Sequence, residues 1–138
     1  MNVLFFLTPK SQIKYCLNSM TVRQVLELFE FYRYQVIPIL SKDGSYVGTI
    51  SEGDLLYFLK DHPFNSLSDF DNISMSEIKR HIDYVPISYD SEMDSLMICA
   101  NNQNFVPVLD DKNNFIGIIT RKSIITYLYY SKQNIDNK

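Results

Sequence analysis

The feature that most constrains this chain is that it says the same thing twice. Gly48-Thr49-Ile50-Ser51-Glu52-Gly53-Asp54 and Gly117-Ile118-Ile119-Thr120-Arg121-Lys122-Ser123 stand 69 positions apart. In each copy a glycine precedes a short apolar run, a hydroxyl residue follows, and an apolar helical pattern opens. The same spacing pairs Ile13 with Ile82, Tyr15 with Tyr84, Pro38 with Pro107 and Leu59 with Leu128, with no gap needed. An internal repeat of this size predicts two supersecondary units that bury their apolar faces against each other.

Periodicity predicts the order strand, helix, strand, strand, helix in each copy. Ile13, Tyr15 and Leu17 alternate over 12–17 as in a strand. Thr21 with Gln24 gives a capping-box signature, followed by the helical stripe Val22, Val25, Leu26, Leu28 and Phe29. Residues 36–40 form an apolar strand whose Pro38 predicts an edge or a strand end. Lys42-Asp43-Gly44 turns the chain into a strand over 46–50, and Ser51 with Asp54 caps a helix to about Lys60. Residues 64–74 are polar and read as a linker, with a helical turn at 76–79. The second copy predicts strands at 84–87, 105–109 and 115–119, and helices from Asp90 to about Asn101 and through Leu128. The division expected is repeat 1 at 1–63, linker at 64–75, repeat 2 at 76–131 and a polar tail at 132–138. The fold class expected is α+β, two β-α-β-β-α repeats of α/β type.

Composition narrows the function classes. A chain of 138 residues with 46% hydrophobic and 21% charged residues is ordinary globular material. A net charge of −3, with no basic run denser than Lys79-Arg80-His81, argues against a nucleic-acid partner. Val3-Leu4-Phe5-Phe6-Leu7 is too short for a membrane span or signal peptide and reads as an arm packed on the core or on a partner. Cys16 and Cys99 are isolated, which predicts buried thiols in a reduced, cytoplasmic protein. His62 and His81 have no ligand-spaced carboxylate or cysteine, so no metal site is expected. Asp69-Phe70-Asp71-Asn72 lacks the glycine and distal glutamate of a calcium loop. No nucleophile–base set and no phosphate-cradling glycine loop is readable, so the chain is not expected to be an enzyme. Tyr127, Tyr129 and Tyr130 read as a dimer or core face.

With its element order, Val36-Ile37-Pro38-Ile39, Phe105-Val106-Pro107-Val108 and the two glycine–hydroxyl stretches, the chain resembles the CBS domain (the cystathionine β-synthase motif) as a tandem pair. The resemblance runs from about Leu7 to Tyr130 with no other domain attached. It implies a homodimer, and a regulatory sensor whose clefts take an adenosine-containing ligand: AMP, ATP, S-adenosylmethionine or cyclic di-AMP. Such a module works by a ligand-dependent conformational shift on a partner effector protein. The ligand residues implied in the first repeat are Tyr34, Gln35, Val36 and Pro38 for adenine, and Ser51 and Asp54 for ribose and phosphate. A carboxylate suits the ribose because it accepts from both diol hydroxyls. Those implied in the second are Asn104, Phe105, Val106, Pro107 and Thr120, with Ser123 where the acidic residue belongs. Arg121 and Lys122 follow at the helix start, where cations meet a phosphate, as in some cyclic di-AMP-binding pairs. Lys10 and Arg80, near the starts of the first strands, are further phosphate candidates. Two plainer readings stand beside these. Ser51, Asp54 and Thr120 serve equally well as helix caps alone, and the whole chain as a ligand-independent dimeric scaffold.

Overall fold

Local capping sets where the helices begin in the computed structural model, which describes residues 1–136. Thr21 and Gln24 form a reciprocal capping box at α1 (Val22–Tyr32). Ser51 and Asp54 form another at α2 (Glu52–Asp61). Each box satisfies amides that the first helical turn leaves without partners. Helix α3 (Met93–Asn102) follows Glu92 without a side-chain cap. At α4 (Arg121–Asp136) the Thr120 hydroxyl accepts from Ser123 N at 3.1 Å. Helix α4 therefore runs through most of the stretch expected as a polar tail, of which 137 and 138 lie outside the described residues. The strands are β1 (Thr8–Pro9), β2 (Cys16–Leu17), β3 (Val36–Leu40), β4 (Tyr46–Ser51), β5 (Ile87–Ser88), β6 (Phe105–Leu109) and β7 (Phe115–Thr120). No helix among the described residues is long and apolar enough to cross a membrane.

Packing divides the chain into Lys14–Asp83 on one hand and Met1–Ile13 with the chain from Tyr84 onward on the other. These cuts differ from those of the sequence repeats, because the first thirteen residues pack with the second copy. In the Lys14–Asp83 unit the sheet order is β2-β3-β4, with β2 parallel and β4 antiparallel to β3. Cys16, Val25, Phe29, Ile37, Ile50 and Phe58 belong to its core. Pro38, expected at an edge or strand end, stands mid-way along the central strand β3. The pairing explains the tolerance. Glu52 N donates to Gln35 O at 2.9 Å, so by alternation Pro38 and Thr49 form a non-hydrogen-bonded pair. The missing N–H thus faces away from β4, and β2 pairs only with Ile39 and Leu40. The stretch read as a linker is part of this core: Phe70 is 2% exposed and Met75 1%. A 3-10 turn (Leu67–Phe70) brings the Phe70 ring to Phe58 and Phe64, and Val22 N donates to Ile73 O at 2.8 Å.

The other unit has sheet order β1-β7-β6-β5, around a core including Val3, Leu96, Val106, Val108 and Ile119. The apolar arm takes the first of its two expected roles here. It forms a 3-10 turn (Val3–Phe6) that buries Val3 and Phe6, and Tyr127 packs edge-on against Phe5 and Phe6 at 5.4 and 5.3 Å. Tyr129 and Tyr130 are exposed. Cys16 is fully buried, which pushes its thiol up to about 12, whereas Cys99, expected to be buried, is only partly so.

The repeat register needs one correction. From β3 to α2 the offset to the second copy is 69, but Cys16 pairs with Ile39 as Ile87 pairs with Val108, so β2 and β5 lie 71 positions apart. The N-caps Thr21 and Glu92 share that offset. The first copy holds its two extra residues after α1, where Arg33 adopts the left-handed conformation (φ 57°); the corresponding Gln103 is extended. The first strands are accordingly shorter and later than alternation predicts. The matches Ile13–Ile82 and Tyr15–Tyr84 are not structural equivalents.

Candidate functional site

The β4–α2 junction opens onto a cleft of about 570 Å³. Ser51, Gly53, Asp54 and Tyr57 line one side, His62 closes the helix end, and Glu77, Lys79, Arg80 and His81 line the other. At its floor the Asp54 carboxylate is 5% exposed. Its Oδ2 accepts from Ser51 N and its Oδ1 from His81 N, both at 3.0 Å. One side chain thus fastens the helix start to a segment distant in sequence.

A second carboxylate fastens the same segment to the sheet. Thr49, in its non-hydrogen-bonded pair, turns its amide out from the edge of β4, where it donates to Asp83 Oδ1 at 2.9 Å. Arg80 donates to both Asp83 oxygens, from Nε at 2.9 Å and Nη2 at 3.2 Å. Partial burial alone would raise the Asp83 carboxyl, but the Arg80 guanidinium and the Thr49 amide outweigh it and hold the group below the usual carboxylate range. The Arg80–Asp83 stretch therefore shields an otherwise open sheet edge. Gly48 permits it, since a Cβ there would collide with the Asp83 carboxylate. His62 Nδ1 donates to Phe58 O at 2.9 Å and its ring stacks on Phe58 at 4.0 Å. Tyr57, Lys79 and His81 are exposed. The cleft offers cations to an anion, an aromatic face to a planar ring, and the remaining lone pairs of Asp54 to hydroxyl donors.

Of the residues expected to hold ligand, Ser51 and Asp54 meet in this cleft, and Tyr34, Gln35, Val36 and Pro38 are not in its lining. Tyr34 stacks on Tyr32 at 5.7 Å and lines a separate groove between α1 and α2. Gln35 is exposed, Val36 half-buried and Pro38 buried. In the second copy Asn104 is exposed and its carbonyl accepts from Arg121 N, while Phe105, Val106 and Pro107 are buried. Thr120, Lys122 and Ser123 line a groove of about 460 Å³ whose other wall is Phe5, Phe6 and Leu7. Arg121 points elsewhere, its Nε donating to Ala100 O at 2.8 Å, so it and Lys122 line different grooves. Lys10 lies in the 3-10 turn after β1. Sequence reasoning missed Tyr57, Lys79, His62 and His81 as cleft residues. The one signal was that Lys79-Arg80-His81 is the densest basic run in the chain. Among the described residues no group of three or more His, Cys, Asp or Glu is placed to hold a metal ion.

A duplicated strand–helix unit with a capped strand-to-helix junction in each copy defines a tandem-repeat α+β module. The CBS-domain family description matches residues 7–61 and 75–130, and the chain belongs to the CBS-domain family as a tandem pair. Its fold is similar to that of CbpB, solved in complex with c-di-AMP (TM-score 0.88, 23% identity, 99% of this chain and 90% of that chain). It is also similar to CBSX2, solved in complex with AMP (TM-score 0.72, 20% identity, 95% of this chain and 98% of that chain). Protein MJ1426 of Methanocaldococcus jannaschii is 26% identical over 132 residues, covering 75% of this chain and 79% of the relative.

Proposed function

We propose that the chain is a non-catalytic regulatory module that binds an adenine nucleotide of the AMP, ATP, S-adenosylmethionine or cyclic di-AMP class. It works as a homodimer in the cytoplasm, on a partner effector protein. The observation that carries this reading is the cleft in which the buried Asp54 faces Lys79 and Arg80 across a capped helix start. The c-di-AMP complex of CbpB and the AMP complex of CBSX2, both of this fold, support the ligand class. In this reading a phosphate lies against Lys79 and Arg80, and the ribose hydroxyls donate to Asp54. Because one Asp54 oxygen already holds His81 N, a ribose hydroxyl donating to the same oxygen weakens that bond. Occupancy thereby changes how the Arg80–Asp83 segment is held, by the ligand's differential affinity for the two states.

A thermal-shift panel of AMP, ADP, ATP, S-adenosylmethionine, NAD and cyclic di-AMP tests it. At a hundredfold excess over Kd a true ligand stabilises by about 2.7 kcal/mol. Lys79→Ala, at an exposed position, is expected to weaken a phosphate-bearing ligand about tenfold or more while leaving the free midpoint unchanged. Midpoints that stay fixed across the whole panel favour the second reading, a ligand-independent dimeric scaffold. The observation on its side is that both Asp54 oxygens already have backbone partners within the chain.

A further inference from the structure

Where α2 ends, the Asp54 cleft is walled by groups that accept hydrogen bonds. Asp54, Tyr57, Phe58 and Asp61 recur at the spacing of one helix face, and all four line the cleft. His62 follows, and its ring folds back to stack on Phe58 with centroids 4.0 Å apart. A backbone carbonyl only accepts, so the 2.9 Å contact between His62 Nδ1 and Phe58 O puts the hydrogen on Nδ1. The neutral ring therefore carries its lone pair on Nε2, which has no protein partner among the described residues. Asp61 beside it is exposed and, as a carboxylate, only accepts.

We propose that Asp61 and His62 select the base of the ligand by accepting from its exocyclic amine, with the purine lying along α2 against Tyr57. The proposal rests on the nucleotide reading above and adds the residues that choose the base. Adenine presents an amine with two hydrogens at this position, one for each acceptor. A purine with a carbonyl there turns an acceptor toward two acceptors, and the unpaired groups penalise it. The span fits. Asp54 and His62 stand eight positions apart, about 12 Å of helix, which a nucleoside covers with a hydrogen bond at each end. Tyr57, 63% exposed, offers its ring between them. Tyr34, Gln35, Val36 and Pro38, implied by resemblance to hold the adenine, lie outside this lining.

Calorimetric titration at pH 8 tests the assignment. AMP, ATP, S-adenosylmethionine and cyclic di-AMP are titrated into the parent, and the tightest binder is compared with its counterpart carrying hypoxanthine for adenine. Two acceptors at about tenfold each give an expected preference for adenine of about a hundredfold. His62→Phe, which keeps a ring to stack on Phe58, and Asp61→Ala are both at exposed positions that leave the core intact. Each is expected to remove about tenfold of that preference, by weakening the adenine form more than the hypoxanthine form. A preference unchanged in both variants, or absent from the parent, overturns this seat for the base while the nucleotide reading stands. Equal weakening of both forms marks a structural role for the two side chains and overturns the seat as well. A parent that binds none of the four ligands overturns the nucleotide reading and the base seat together.

Discussion

Asp54 shows how one residue type serves two readings at once. Its carboxylate accepts from Ser51 N and His81 N, so Asp54→Asn turns an acceptor into a mixed amide beside two N–H donors. Leaving such a buried amide unpaired costs about 1–3 kcal/mol, and urea unfolding of the variant is expected to show a loss of that order. The box partner was legible in sequence because a cap is a local device, its partners three positions apart. The bond to His81 was not, because nothing local marks an acceptor filled from another segment. The two repeated glycines make a similar point. A Cβ at Gly117 would collide with the main-chain oxygen of Thr8 in the paired strand β1, whereas one at Gly48 collides first with the Asp83 side chain. Overpacking costs about 1–3 kcal/mol, and Gly117→Ala is expected to sit above Gly48→Ala within that range because backbone yields less than a carboxylate. Equal losses in thermal midpoint would contradict this account.

Among the elements, the Arg80–Asp83 segment makes its hold on β4 dependent on pH. Asp83 is held below its ordinary value in the folded state, so its stabilisation is present above the unfolded pKa of about 3.9 and fades as pH falls through the folded one. Asp83→Asn is therefore expected to be less stable than the parent at pH 7, with the difference closing below roughly pH 4. A gap that persists in acid would assign the loss to something other than the carboxylate's charge. The 3-10 turn over Leu67–Phe70 was illegible for a different reason. Phe70 shares its polar run with only Phe64, Leu67 and Ile73, a spacing of three that suits 3-10 turns and not a strand or an α-helical stripe, yet it is 2% exposed. Phe70→Ala is expected to cost about 3–5 kcal/mol, where a true linker residue would cost almost nothing. By contrast β3, β4 and α2 were readable from their unbroken apolar pattern and turn residues. The first strand of each copy was misplaced, because two extra residues around Arg33 shift its register and a two-residue strand leaves little alternation to see.

For the molecule as a whole, the duplication fixed the fold class from sequence while hiding how far the copies have diverged. Beside Ser51 the facing wall is Lys79, Arg80 and His81; beside Thr120 it is Phe5, Phe6 and Leu7. A single nucleotide per chain is the expected stoichiometry, and calorimetry returning two equivalent sites would show that the apolar arm does not matter. The two thiols also fall one to each packing unit, Cys16 in the Lys14–Asp83 unit and Cys99 in the other. At neutral pH the Cys16 sulfur is wholly protonated and out of reach, and so inert to alkylating reagents until its own unit opens. The rate at which iodoacetamide captures Cys16 is therefore a clock for the opening of one half of the protein, read without any mutation.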